Sequence, residues 1–468
     1  MPTPMFLGSR CALVALLGLA GCAVTSLAPP APGAVDVPAQ WSTGAVGSAV
    51  GDRWWAVFGD PLLTELVDAA RRANGDVRSA QAALRRARAL RDAAGAALKP
   101  TLDVSASAQR GRAAGAAATT SLFDAGFDAG WEPDVFGVNA HGLAAADADL
   151  RAQADTLAAT RVSVAAEVAV AYLQLRGAQA RSAIARDNLS AQRQTLQIAQ
   201  WREQAGLGSS IEVAQARSAV GQTEATLPVL AASVAQFAHA LAVLTGRTPA
   251  ELVAQLDAPA ALPAPPDGVA LDIPARTLAR RPDVRAAERA LEAAGERVAA
   301  ADAARRPTLQ LRASLAWSAL TLGSLGSTAA ARSLLLGATQ PLLDGGLRDA
   351  QLAAQQAAFD AAREAYRSQV LAALQEVEDA LAAIAAARER VAALQGAVDA
   401  ARLAALLAEE RQKSGLVDFQ VVLDTERNLL SVQDALASAQ TEQAADHVRL
   451  VKALGGGWSP SDAEDAGS

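Results

Sequence analysis

The spacing of apolar residues along the chain switches between a helical period and a period of two. After Trp54-Trp55-Ala56-Val57-Phe58-Gly59-Asp60, a helix is expected to begin near Pro61, whose fixed φ suits a first turn, and to run to about Leu98, ending before Pro100. The period then becomes two. Leu102, Val104, Ala106 and Ala108 alternate with Thr101, Asp103, Ser105, Ser107 and Gln109, and a second run sets Phe123, Ala125, Phe127, Ala129 and Trp131 against Asp124, Gly126, Asp128, Gly130 and Glu132. With the Gly, Ala and Thr residues of 111–120 between them, these runs predict a β-hairpin with strands at about 101–113 and 121–136. Helical character resumes near His141 and persists to about Arg202, on the order of 90 Å at 1.5 Å per residue. Gly206 and Gly208 interrupt it, and a further helix from about Ser210 to Leu244 ends at Gly246, which fits a C-terminal cap.

The second half repeats this order. Arg281-Pro282-Asp283 opens a helix reaching Arg305, and Leu309, Leu311, Ala313, Leu315 and Trp317 then alternate with polar or small residues in a strand at about 307–320. The partner strand, about 333–343, alternates poorly and is assigned by analogy with the first half. Asp344-Gly345-Gly346 leads into helix from about Leu347 to Arg411, a break at Gly415, and a last helix from about Phe419 to Leu454. The distances repeat too: Asp76 to Pro100 and Asp283 to Pro307 are both 24 residues, and Glu167 to Gly206 and Glu376 to Gly415 are both 39. We therefore expect an internal duplication, with repeats at 51–254 and 275–458, a Pro-rich linker at 255–274 and a flexible tail at 459–468.

Composition changes the picture by removing alternatives. The chain is 51% hydrophobic but only 4% aromatic and is rich in Ala, which favours helix and lets helices approach closely. A net charge of −7 gives no case for nucleic-acid binding, and the arginines between Arg71 and Arg91 read as a solvated or interhelical face. His141, His239 and His447 are scattered without carboxylates at ligand spacing, so no metal site is expected. Neither a nucleotide-binding glycine loop nor an acid–base or nucleophile motif is recognisable; no cofactor is implied, and an enzyme is not expected.

The N-terminus has Arg10 before a short apolar run from Cys11 to Ala20, the form of an export signal over residues 1–21. Leu19-Ala20-Gly21-Cys22 resembles the bacterial lipobox, which makes Cys22 the expected acylated N-terminus, with residues 22–50 as a tether. By resemblance to bacterial lipoproteins, in which an Asp after the Cys marks inner-membrane retention, Ala23 favours the outer membrane.

Four amphipathic strands suit a membrane barrel, with one face toward lipid and the other toward a lumen. Four are too few to close alone, since barrels start at about eight, so an oligomer is required. The helices are expected to stay in water as a coiled-coil wall, because charged and amide residues recur along them and no run approaches about 18 uncharged apolar positions. Helices continuous with a barrel make a conduit. A rival from another class is a non-conducting helical structural or adaptor lipoprotein.

Specific stretches then carry a resemblance: WWAVFGDPLLTELVDAARRANGDV (54–77), WEPDVFG (131–137), AEVAVAYLQL (166–175), LTG (244–246), ARRPDVRAAERAL (279–291), QPLLDGG (340–346), EVEDAL (376–381), KSGLVDFQVVLDTERNLL (413–430) and VKALGGGW (451–458). The chain resembles the outer-membrane efflux proteins, the TolC/OprM/NodT-like exit ducts, over nearly its whole mature length. The resemblance implies a mainly α fold with transmembrane β: a homotrimer whose four strands per subunit form one twelve-stranded barrel, continuous with a helical periplasmic tunnel. It also implies a periplasmic adaptor (membrane fusion protein), an inner-membrane transporter, expected to be of the proton-driven resistance-nodulation-division type, and contact with outer-membrane lipid. Drug-like compounds or metal ions are the implied cargo, with type I protein secretion as an alternative. By the same resemblance Asp424, the Asp of VLD, lies at the periplasmic aperture, where three copies would favour cations. Gln412 and Lys413 stand where the family often has Tyr-Arg, and Glu212 stands for a common Asp, so a charged gate link between Lys413 and Glu212 is possible without the Tyr hydroxyl. The helix tips, Gly206 and Gly208 in one half and Gly415 and Asp418 in the other, are expected to meet the adaptor.

Overall fold

The computed structural model describes residues 37–42, 51, 53–112, 114, 118–258, 260–265, 274–456 and 458. The signal segment, Cys22, most of the tether, part of the linker and the tail lie outside the described residues. In order the elements are a short 3-10 helix (Trp54–Phe58), α1 (Pro61–Ala73), α2 (Gly75–Ala96), β1 (Thr101–Gly111), β2 (Thr120–Trp131), α3 (Val138–Gln204), α4 (Ser210–Leu244), α5 (Pro249–Leu256), α6 (Pro274–Arg280), α7 (Pro282–Ala303), β3 (Thr308–Ala319), a 3-10 helix (Leu322–Ser327), β4 (Ala331–Thr339), α8 (Leu347–Lys413) and α9 (Phe419–Ala453). The chain divides into two compact units, and each draws segments from both sequence halves.

One unit, containing Arg85–Ala152 and Ala287–Tyr366, holds the sheet. Its four strands are antiparallel in the order β1-β2-β3-β4. The register pairs Val104 with Phe127, and Phe127 with Leu315, which puts the apolar alternation of β1, β2 and β3 on one face; β4 adds Leu334 and Leu336 to that face, and also Arg332 opposite Leu315. Phe127 and Trp317 meet edge to face there at 6.5 Å, while Leu102, Val104, Leu334 and Leu336 are largely exposed. On the other face Ser105 donates to Asp128 at 3.0 Å, and Ser107 and Ser318 donate to the two oxygens of Asp124 at 3.2 and 2.6 Å. β2 stops at Trp131, short of the expected residue 136, because Pro133 lacks the N–H a ladder needs. β4 is displaced from the expected 333–343 to 331–339. Leu335 falls on the polar face opposite Arg312, which is why the run Leu334-Leu335-Leu336 hid the alternation. In the same unit His141 Nδ1 lies 2.7 Å from Glu296 on α7, a carboxylate partner that sequence spacing did not reveal. Arg91 of α2 also reaches Asp147 of α3 at 2.8 Å.

The other unit, Val35–Leu84, Gln153–Ala286 and Arg367–Ser468, is helical. The single helix expected from Pro61 to Leu98 is broken at Asn74, whose extended backbone turns the chain between α1 and α2. Asn74 is buried. Its Oδ1 accepts from Asp76 N at 2.8 Å, and its Nδ2 donates to Leu244 O, the last carbonyl of α4, at 3.0 Å. Arg281 takes the same position in the second repeat and donates to Ala453 O, the last carbonyl of α9, at 2.9 Å. Both repeats thus lock the end of their closing helix with one buried side chain. Arg281 also forms ion pairs with Asp283 at 2.6 Å and Glu376 at 2.7 Å. Burial alone would lower its guanidinium and raise the Asp283 carboxyl, but the ion pair reverses both, leaving Arg281 above and Asp283 below its ordinary value. A second buried network links the N-terminal part of the repeat to the linker. Tyr172 donates to Asp60 at 2.5 Å and accepts from Arg176 at 3.0 Å, and Arg176 donates to Ala258 O at 2.7 Å. Burial, reinforced by Asp60, pushes the Tyr172 phenol up to about 12. Trp41 is buried among Val377, Leu381, Ile384 and Leu450, so the tether is held at this residue against α8 and α9.

The expectation that no helix is apolar enough to cross a membrane was too strong. α3, α4 and α8 each contain an 18-residue stretch that qualifies by length and composition, and residues 225–246 carry no charged side chain. Alanine is the reason: it raises mean hydropathy while adding little apolar area per residue. In α4 only 22% of that stretch is buried within the chain.

Candidate gate and helix tips

α3 and α4 meet at one helix tip and α8 and α9 at another, and the two are built alike. Gly206 at φ +73° and Gly415 at φ +72° take the left-handed conformation that non-glycine residues avoid. The following residue then bonds back into the helix it has left, Leu207 N to Arg202 O at 2.8 Å and Leu416 N to Arg411 O at 2.9 Å. Leu207 and Leu416 are 73% and 74% exposed, so each tip presents one leucine to its surroundings. These leucines were not singled out from the sequence, although each directly follows its turn glycine. Ser209 caps α4 by accepting from Glu212 N at 3.3 Å, whereas Asp418, at the matching cap of α9, makes no side-chain capping bond. Just inside the tips, Ala199, Val213, Ala216, Phe419 and Leu423 form a small core that joins α3, α4 and α9.

The proposed gate residues are distributed along these helices. Asp424 is 58% exposed, accepts from Gln420 at 2.9 Å and lies 3.7 Å from Arg427, both on its own helix. Lys413 is held by Glu409 at 2.8 Å and Glu410 at 2.9 Å on α8, and these bonds raise its ammonium above the ordinary lysine value. Within the chain Lys413 is therefore engaged with its own helix and makes no bond to Glu212. Glu212 folds back toward Gly208, and its Oε2 is buried without a hydrogen-bond partner. Gln412 accepts Gly415 N at its backbone carbonyl as part of the tip turn.

What fixes α9, the helix bearing Asp424, is a set of cross-links to α3 that the sequence reading missed. Arg181 grips Asp434 through two bonds of 2.7 and 2.9 Å, Asn188 donates to Gln433 at 2.9 Å, and Thr195 donates to Glu426 at 2.7 Å. Arg181, Asn188 and Thr195 are seven residues apart, two helical turns, and so share a face. That spacing was a readable signal, but the partners lie in the other half of the chain. Burial pushes the Glu426 carboxyl up, with Glu409 adding to the effect and the Thr195 hydroxyl opposing it. Among the described residues no three His, Cys, Asp or Glu side chains converge as metal ligands would.

A mainly helical chain with a four-stranded sheet, duplicated and ending in paired helix tips, defines a class. The outer membrane efflux protein family model matches residues 66–247 and 273–456, and the chain belongs to that family. Among individual relatives, it is 33% identical over 463 residues to the pyoverdine export outer membrane protein OpmQ of Pseudomonas putida, covering 96% of this chain and 97% of that one. It is 31% identical over 469 residues to the toluene efflux pump outer membrane protein TtgI of Pseudomonas putida, covering 96% and 98%. The solved structure of the outer-membrane channel OprN superposes with a TM-score of 0.85 at 35% identity, covering 94% of this chain and 99% of that one.

Proposed function

We propose that this protein is the outer-membrane exit channel of a tripartite efflux pump, a passive conduit for small molecules. The observation that carries this reading is the sheet: one face is apolar and exposed, the other polar, and β1 and β4 are edge strands. In hydrocarbon an unpaired strand edge is costly, and four strands cannot close alone. Three copies would join edge to edge as a twelve-stranded barrel, with the Asp128 face toward the lumen. Family membership and the likeness to OprN support the same assembly. The helices then stand in the periplasm, where the exposed apolar faces of α4 and α8 pack against neighbouring copies rather than lipid.

Acylation at Cys22 would add a lipid anchor. The tips at Gly206, Gly208, Gly415 and Asp418, with the exposed Leu207 and Leu416, would receive a periplasmic adaptor carrying cargo from a proton-driven inner-membrane transporter. Three Asp424 carboxylates around the axis would form the aperture and favour cations. Single-channel conductance in a planar bilayer tests this. The parent protein should give small cation-selective openings, and Asp424→Ala should enlarge them or lose selectivity. Unchanged currents would move the constriction elsewhere, and folded, inserted protein without any current would return the chain to the non-conducting class.

A further inference from the structure

α3, α4 and α9 enclose a groove of about 580 Å³. That volume is typical of sites for small organic molecules, which combine apolar walls with a few polar groups. Leu230 and Leu430 supply apolar area, and the Arg181–Asp434 ion pair lies on the wall with its charges matched. Two further polar groups on the wall are not satisfied. Gln192 is only 3% exposed and its Oε1 has no hydrogen-bond partner, and Arg427 Nε is buried in the same condition, so an occupant reaches either atom by displacing the side chains that cover it. The ion pair that Arg427 makes with Asp424, on its own helix, is at its Nη1, 3.7 Å away, and leaves Nε without a partner. A buried donor or acceptor without a partner is destabilising, so a molecule bringing both complements gains from both. α4 is adaptable here, because Pro228 interrupts its backbone hydrogen bonds.

We propose that this groove is a binding site for a small amphipathic anion, an aryl sulfonate or carboxylate that also carries an N–H donor. Its anionic oxygen accepts from Arg427 Nε, its N–H donates to Gln192 Oε1, and its ring system lies against Leu230 and Leu430. An occupant bridges the three helices and competes with Asp424 for Arg427, so it restrains α9. This consequence for gating rests on the channel reading, whereas the binding itself does not.

The probe is 8-anilinonaphthalene-1-sulfonate, titrated by fluorescence against the full-length protein in lipid nanodiscs, with empty nanodiscs subtracted. Saturable binding of one molecule per chain is expected, weakened about tenfold or more by Gln192→Leu and by Leu430→Trp, which fills the groove. N-phenyl-1-naphthylamine, which lacks the sulfonate, should bind about tenfold more weakly. Both variants should keep the parent's oligomeric state and conductance, and the probe should lower open probability in the parent alone. Probe binding that does not saturate, that survives both substitutions, or that the neutral analogue matches would overturn the site. Saturable, substitution-sensitive binding to a protein that carries no current would leave the site standing and sink the channel reading instead.

Discussion

Asp283 and Glu426 are carboxyl groups moved in opposite directions by their surroundings. Asp283 lies below its ordinary value because the Arg281 ion pair outweighs burial, so its stabilisation is present above about pH 4 and is lost as pH falls through the depressed value. Glu426 lies above its ordinary value because burial, with Glu409 nearby, disfavours its charge. Its penalty is present at neutral pH and is relieved as pH falls through the raised value toward about 4.5. Thermal unfolding followed across pH should therefore separate them. Glu426→Gln should stabilise at neutral pH and remove the gain on mild acidification. Asp283→Asn should destabilise at neutral pH and remove the loss below about pH 4. A Glu426→Gln protein that melts earlier than the parent at neutral pH would contradict this assignment. Asp283 and Asp424 were both visible as residues within motifs. That Glu426 is half-buried, while Asp424 three residues on from Val421 is exposed, follows only from how α9 turns against α3.

At the scale of elements, the glycines that end helices have two distinct jobs. Gly246, closing α4 at φ +71°, has no room for a side chain: a Cβ there would sit 2.5 Å from Ala73 O. Gly415 has a similar φ of +72° but open space around it. Gly415→Ala should thus cost about 1–2 kcal/mol of backbone strain alone. Gly246→Ala should add roughly 1–3 kcal/mol from displacing a neighbouring backbone. Chemical denaturation of both variants reads the difference, and equal losses would mean the contact with Ala73 relaxes freely. The tips also carry a functional expectation. Leu207→Asp with Leu416→Asp should abolish export by the assembled pump while leaving assembly and bilayer conductance intact, because these side chains contribute nothing to the buried core. Undiminished export would remove the leucines from the adaptor contact. Element order and most helix ends were legible because period, proline and glycine act locally. The break at Asn74 was missed although Asn74-Gly75 is a local turn signal and Asn74 Oδ1 accepts from Asp76 N; its further bond to Leu244, far along the chain, left no mark in the sequence.

For the whole molecule, the proposed attachment to the membrane has two separable origins, the barrel and acylation of Cys22. Cys22→Ala, correctly delivered, should stay in the membrane fraction through high-salt and alkaline extraction, because a closed barrel holds without lipid. Release by salt would mean the strands do not span.

The sequence by itself determined the duplication, the sheet with one apolar face and the paired long helices, because each is written in residues close together along the chain. It also carried the family. Tertiary structure decided which side chains meet across the halves, Arg181 with Asp434 and Thr195 with Glu426, and, within the second repeat, that Arg281 reaches Ala453 O and Glu376. It also decided that Lys413 pairs within its own helix, and that Gln192 and Arg427 line one groove. Those outcomes depend on the rotation and register of packed helices, which an Ala-rich chain with few large side chains leaves unmarked in the order of its residues.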